Sequence, residues 1–250
     1  MHALLLVAGT SPALAVDRYE GLAYGLGGDT LAYREIHWRY EDSGIPSRLV
    51  LYRCPNGPAF ARKRVQDRPN ATAPDFEFID GRDGYREGLR KSEGSREVFW
   101  QERSDAAVRR KALAVTPQTI VDAGFDAMVR AHWDQLAAGT PLSARFLLPS
   151  SLATLPVKLH AVPDGARPGE IEFELRLDAW YGFAAPDTRV SYRVRDRWLS
   201  RFEGVGTIRD TRGRHRPVRI EFPDRLRAVS VSRQEILNAL REPLDGQCRI

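Results

Sequence analysis

The chain has 250 residues, of which 42% are hydrophobic and 28% are charged. This is the composition of an ordinary globular protein, and the length allows one large all-β domain or two small ones. No apolar run reaches the roughly 20 residues that a membrane-spanning helix needs, so we expect no transmembrane segment.

The first fifteen residues predict a secretory signal peptide. An apolar run extends from Ala3 to Ala8, and the small residues Ala13 and Ala15 fit the site that signal peptidase cleaves. No positively charged segment precedes the run, so a short buried N-terminal strand or helix is the alternative. We expect residues 1–15 to be a signal peptide, residues 16–250 to be a single β-rich domain, and the protein to be periplasmic or secreted.

The first part of the predicted domain reads as successive strands separated by turn residues. The connections are short, and parallel strands would need crossovers of a dozen residues or more, so antiparallel pairing is favoured. Residues 24–29 are glycine-rich and predict a flexible lead-in. The predicted strands are Leu31–Tyr40, Arg48–Cys54, Ala59–Val65, Phe76–Ile79, Tyr85–Leu89 and Arg96–Gln101.

One convincing interior helix is predicted from Thr116 to Ala138. Threonine can cap the free N–H groups, proline follows at the first helical position, and Gly139 supplies a left-handed end. Gly124 lies within this helix, so we expect it to face the sheet or a nearby loop at close range. The residues that recur on one face at helical spacing are Val121, Phe125, Met128, Val129, Trp133 and Leu136.

Strand patterns return after the helix, and a short terminal helix follows at Ser232–Leu240, with Ser232 as its cap and Glu235 as the capping-box partner. The order of meander, helix and meander predicts a mainly β fold. We expect an antiparallel curved sheet or open half-barrel with one main helix packed on or in it, plus the short C-terminal helix. The strands predicted here are Ala144–Leu148, Val157–Val162, Ile171–Leu177, Val190–Val194, Trp198–Phe202, Thr207–Asp210 and Val218–Phe222.

Two further features concern the predicted domain as a whole. Cys54 and Cys248 are the only cysteines, and in an oxidising compartment they can form one bridge; two unrelated thiols are the alternative.

Twelve arginines between Arg189 and Arg227 outnumber the acidic residues there. They predict either a face for an anionic envelope surface or a solvated outer sheet face, and export disfavours nucleic acid.

Catalytic motifs are scarce. No G-x-S-x-G nucleophile elbow occurs, and the histidines are scattered without metal-ligand spacing, so we predict no cofactor and no metal. Strand alternation places Glu35 and His37 on one face. Together with Asp80 they form the best candidate for a dispersed carboxylate and histidine site.

Large aromatic residues lie in or beside many of the predicted strands. They either line a hydrophobic cavity inside an incomplete barrel or fill the core. The residues that we predict to bind a ligand are Trp38, Tyr40, Phe125, Trp133 and Trp180.

Several short segments resemble a group of uncharacterised exported bacterial proteins, and the layout is loosely similar to the half-barrel family of lipoprotein-localisation factors. The second resemblance implies an open antiparallel barrel whose concave face can hold acyl chains, and it transfers no binding residue. The segments are Tyr33-x-Glu35-x-His37, Pro74-Asp75-Phe76, residues 80–88, residues 123–126 running into Trp133, Phe146-Leu147-x-Pro149 and residues 201–204.

The sequence therefore predicts a non-enzymatic exported protein that binds an apolar or lipid-like ligand or a cell-envelope partner. The alternatives are an envelope hydrolase or transferase that uses Glu35, His37 and Asp80, and a purely structural interaction module.

Overall fold

The computed structural model describes residues 17–92, 94–163, 165–178, 187–228 and 230–250. The predicted signal peptide and Trp180 lie outside these residues. Within the described ranges, no helix combines the length and apolarity needed to cross a membrane.

The described chain forms one large sheet of 16 strands. The first eight are β1 Asp17–Gly25, β2 Leu31–Asp42, β3 Ile45–Arg53, β4 Ala59–Gln66, β5 Asp75–Asp80, β6 Arg86–Ser92, β7 Ser95–Gln101 and β8 Arg109–Leu113. The others are β9 Thr119–Ile120, β10 Leu142–Leu148, β11 Ala153–Val162, β12 Glu170–Leu177, β13 Thr188–Arg193, β14 Leu199–Arg209, β15 His215–Glu221 and β16 Arg227–Ala228.

The sheet is an antiparallel meander in two halves that meet at β1. β1 pairs with β2 and β15, so the halves β1 to β8 and β9 to β15 extend in opposite directions. The mainly β, antiparallel architecture predicted from the sequence is confirmed. The exception is the parallel pair β9 and β10, in which Thr119 lies opposite Arg145.

The two edges of this sheet, β8 and β9, are consecutive in the chain. Leu113 ends β8 and Thr119 begins β9, so the chain crosses from one edge to the other within about 20 Å. The sheet must therefore curl. Val98 of β7 and Leu147 of β10 share one buried cluster across the gap. Among the described strands β8 and β9 are not hydrogen-bonded to each other, so the barrel-like sheet is open.

The main helix is shorter than predicted. A 3₁₀ turn at Asp122–Gly124 leads into α1 Phe125–Ala131 and α2 Trp133–Ala137. Residues 116–121, predicted as helical, contain a turn and the short strand β9 instead. The reason is local: residues 119–121 are Thr-Ile-Val, three consecutive β-branched side chains that fit a strand better than a helix. The predicted stop at Gly139 is confirmed, with a φ of 82°.

Gly124 lies in close contact with a loop, as predicted. A Cβ atom at this position would overlap the carbonyl group of Thr72, and the neighbouring Val121 N–H donates to that same carbonyl oxygen at 3.1 Å. We expect Gly124→Ala to lower the free energy of unfolding by about 2–3 kcal/mol, because the backbone of Thr72 or of residue 124 must move to make room for the methyl group. Urea unfolding would measure this. Gly25→Ala is the control, since nothing lies within 4 Å of its added Cβ; equal losses in both variants would contradict the close approach.

Other differences from the predicted elements concern strands. β1 and β8 were not predicted, because Asp17–Gly25 mixes charged residues and glycine with apolar ones and Arg109–Leu113 is mostly charged. The predicted break between Phe202 and Thr207 is also wrong. β14 continues through it, with an irregular register after Val205.

The C-terminal helix α3, Arg233–Arg241, packs on the outer face of β2 and β3. Its predicted cap is confirmed: the Ser232 side chain accepts a hydrogen bond from the Glu235 N–H at 3.2 Å. The Glu235 carboxylate, expected to complete the capping box, accepts a hydrogen bond from Trp38 Nε1 at 2.9 Å. A tertiary contact thus replaces the local one.

The chain beyond α3 returns to the sheet and is held there by a disulfide. Cys54, directly after β3, is bonded to Cys248 across a sequence separation of 194 residues, with the Cα atoms 5.6 Å apart. The Gly246 N–H donates to the Ala59 carbonyl at 2.9 Å. The bridge anticipated from the two cysteines is therefore present, and it fixes the tail beside β4.

Candidate functional site

A cavity of about 200 Å³ lies between the inner face of the curled sheet and the start of α1. Its wall is mixed, with an apolar part and a charged part. The apolar part is Val50, Val65, Ala123, Phe125, Phe146, Leu175, Val190, Leu199, Phe202, Val205, Ile220 and Phe222. The polar part is Tyr19, Glu35, His37, Arg48, Tyr52, Lys63, Asp122, Asp126, Thr188, Tyr192 and Thr207, and Gly206 completes the wall.

Glu35 and His37 form the first polar pair of this cavity. Both side chains point inward from β2, as strand alternation predicts, and His37 Nε2 lies 3.0 Å from Glu35 Oε2. The Tyr19 ring stacks on the imidazole with centroids 4.5 Å apart. Burial raises the pKa of Tyr19 to about 12, so its hydroxyl stays protonated. The wall therefore presents a carboxylate and an imidazole in a fixed mutual orientation.

Lys63 and Asp122 form the second polar pair. The lysine, which points inward from β4, is only 6% exposed and donates to Asp122 Oδ2 and, at 3.2 Å, to Thr207 Oγ1. Burial alone would lower the pKa of Lys63, but the adjacent Asp122 carboxylate outweighs it and raises that pKa. Burial would likewise raise the pKa of Asp122, and Lys63 lowers it overall. Both groups are therefore charged.

The remaining charges of the wall are balanced from outside the cavity. Arg48 donates to Asp67 at 2.8 Å, and Asp126 accepts from Arg130 one helical turn later, also at 2.8 Å. These two ion pairs orient side chains at the rim of the cavity.

The predicted ligand-binding residues are not brought together. Phe125 lines the cavity. Trp133 packs beside the cavity, and the centroids of the Trp133 and Phe173 rings are 5.5 Å apart. Trp38 and Tyr40 lie on the outer face, against the α3 cluster. Their positions on β2 are even-numbered, and alternation sends them away from the face that carries Glu35 and His37. Contrary to the expectation that they line a cavity inside the barrel, Trp38 and Tyr40 therefore do not line this one. Trp180 lies outside the described residues.

Asp80 does not join Glu35 and His37. Its buried carboxylate accepts hydrogen bonds from Arg82 at 3.0 and 2.6 Å, in a separate cluster in which Arg82 also donates to the Arg209 carbonyl. The predicted three-residue site is reduced to its first two members.

Sequence reasoning missed Lys63, Asp122, Thr207 and Tyr19 as members of the site. A signal for Lys63 was present, because it alternates with Ala61 and Val65 in a strand whose other inward positions are apolar. A lysine at such a position needs a buried partner. No comparable signal marks Asp122, whose approach depends on the path of the chain between the two sheet edges.

The arginine-rich region is largely an ion-paired surface. Its side chains contact carboxylates of other elements: Arg189 with Glu174 on the adjacent strand, Arg197 with Asp134, and Arg219 with Asp29. Arg209 is buried, with its guanidinium 3.9 Å from the centroid of the Tyr85 ring. Much of the local basic excess is therefore balanced within the fold.

The described residues contain no group of three or more His, Cys, Asp or Glu side chains placed to hold a metal ion.

No protein-family model matches the chain, and no curated protein matches it. Among solved structures it is similar to a Brucella abortus protein described as a beta-barrel-like protein of domain of unknown function DUF1849. That match has 10% identity and a TM-score of 0.39, and covers 85% of this chain and 98% of the other. The fold assignment rests on this chain's own strand pairing.

Proposed function

We propose that the protein binds a small ligand with an apolar body in the cavity beneath α1, as an exported, non-enzymatic protein of the cell envelope. The cavity itself carries this proposal. Its volume of about 200 Å³ exceeds the roughly 150 Å³ of an apolar cavity that holds benzene and is below the roughly 300 Å³ at which pockets for larger ligands begin. The size fits one ring with a short side chain or a short alkyl chain.

Two features support export. Residues 1–15 have the pattern of a signal peptide, and the Cys54–Cys248 disulfide is of the kind that persists in oxidising compartments. An envelope location also gives access to amphipathic small molecules and lipid fragments.

Cavity filling tests the proposal. Val205 lines the cavity and is 41% exposed, so Val205→Trp can place its ring at the opening without overpacking the deep core. We expect this variant to bind 2-phenylethanol, followed by calorimetry, at least about tenfold more weakly, because apolar contact area is lost.

The matched control is Val108→Trp, a valine of similar exposure at 37% that lies outside the cavity wall. This variant should bind as the unchanged protein does. Extraction and mass spectrometry of the purified protein should identify a co-purifying small molecule that is absent from Val205→Trp. A cavity that takes up neither probe nor cellular ligand would overturn the proposal.

Hydrolysis is a second candidate, favoured by the 3.0 Å contact between Glu35 and His37. A carboxylate that orients an imidazole is the arrangement of a general base, and such a base contributes about 10²- to 10⁴-fold to a rate. Water would be the nucleophile. If the protein cleaves p-nitrophenyl butyrate, Glu35→Gln and His37→Ala should each lower the rate at least about 100-fold; unchanged rates would eliminate this candidate.

A further inference from the structure

We infer that the ligand of the cavity carries a protonated amine and that the Glu35 carboxylate binds it. This inference rests on the proposed function and names the chemical class of its ligand.

The balance of charge along the wall is the first observation. Asp122 and Lys63 neutralise each other, Arg48 is paired with Asp67, and Asp126 is paired with Arg130. Glu35 is different, since its hydrogen-bond partner is His37. An imidazole supplies a countercharge only when it is protonated, so among the described residues Glu35 is the carboxylate of the wall with no arginine or lysine within ion-pair distance.

The burial of Glu35 is the second observation. The residue is 7% exposed. Lys63, the lysine of the wall that acts on it electrostatically, is already hydrogen-bonded to Asp122, so the buried Glu35 carboxylate has no cation of its own, which is unfavourable. Strand pairing places Gly21 and Tyr52 opposite Glu35 on the two neighbouring strands, and neither residue can supply a positive charge. A ligand ammonium in the cavity would supply it and would make a charge-assisted hydrogen bond to the carboxylate.

The aromatic rings beside Glu35 are the third observation. Tyr19, His37 and Phe222 form a cluster in which the ring centroids are 4.5 to 6.0 Å apart. The Tyr19 face stacks on His37 and lies 5.8 Å from the Arg39 guanidinium, so the cluster supplies apolar contact for a ligand body beside the Glu35 carboxylate. This part of the wall therefore suits an amine attached to a ring or a short chain.

Neither permanent cation of the wall makes an anionic ligand a comparable fit, because Arg48 is paired with Asp67 and Lys63 with Asp122. Lys63 already donates to Asp122 and Thr207, and its ammonium lies 5.9 Å from the centroids of the Tyr52 and Phe78 rings. A ligand carboxylate would have to compete with Asp122 for this lysine. It would also be drawn into a wall that already holds Glu35.

Three ligands with the same phenyl ring test the inference: 2-phenylethylamine, 2-phenylethanol and phenylacetate, titrated by calorimetry at pH 7.5. We expect the amine to bind on the order of tenfold more tightly than the alcohol, and phenylacetate to bind most weakly. Glu35→Gln should reduce the amine to the level of the alcohol and leave binding of the alcohol within about twofold of its original strength, which also shows that the variant is folded. The matched control is Glu77→Gln, which removes an outer-face carboxylate paired with Arg86 and should keep the full preference for the amine.

The outcomes separate the two proposals. Binding of the alcohol without an advantage for the amine, or an advantage that survives Glu35→Gln, overturns the assignment of an amine and leaves the binding function intact. Failure of all three ligands to bind overturns both. The comparison of amine with alcohol in the unchanged protein decides the chemical class of the ligand even if Glu35→Gln does not fold.

Discussion

Replacing Cys54 and Cys248 with serine is expected to lower the free energy of unfolding by about 3–5 kcal/mol. The bond joins positions separated by 194 residues, and cross-linking so long a loop removes much conformational freedom from the unfolded chain. It also holds the tail that follows α3 against β4, where Gly246 donates to Ala59. Guanidinium unfolding followed by circular dichroism would measure the loss.

Chemical reduction is the control for this prediction. Treating the unchanged protein with a reductant should produce the same loss of stability, and the doubly substituted protein should not respond to the reductant. A loss below about 1 kcal/mol, or free thiols in the native protein, would contradict the role assigned to the bridge.

Asp122→Asn is expected to lower the free energy of unfolding by about 2–3 kcal/mol. It leaves the buried ammonium of Lys63 without its countercharge, and breaking a buried pair in this way typically costs about 3–5 kcal/mol. We expect less than that because the Asp122 side chain is 52% exposed. Removing both charges in Lys63→Met/Asp122→Asn should restore most of the stability, because no unpaired charge then remains.

The pH dependence of the same variant has a definite sign. Lys63 holds the pKa of Asp122 below its ordinary value, so the carboxylate contributes stability above about pH 4 and loses that contribution as the pH falls further. The difference between the protein and Asp122→Asn should therefore shrink below about pH 4. A difference that stays constant down to pH 2, or a double variant no more stable than the single one, would contradict the ion pair.

The parts of the fold that follow from period-two alternation could be predicted from the sequence. Glu35 and His37 were placed on one strand face, and the structure puts them 3.0 Å apart. The same rule, applied to Trp38 and Tyr40, would have sent them to the opposite face. Aromatic character, which predicts Trp38 and Tyr40 as ligand-binding residues, does not distinguish the inner face from the outer one.

What could not be predicted depends on contacts between distant segments. The curl of the sheet brings β8 and β9 together, and this closeness places Asp122 beside Lys63. Likewise, Glu35 and His37 become part of a cavity only because α1 lies across the inner face. The helix starts later than the Thr-Pro signal at residue 116 predicts, because the β-branched run that follows this signal favours a strand.

Localisation of a bound probe tests the central claim most directly. The methyl groups of Val50, Val190 and Ile220 line the cavity, whereas Leu49 and Leu51 lie under α3 on the outer face. In a methyl NMR titration with 2-phenylethanol, we predict shifts that saturate together at Val50, Val190 and Ile220, with Leu49 and Leu51 unchanged. Shifts confined to the outer-face leucines, or an absence of any saturable shift, would contradict a ligand site beneath α1.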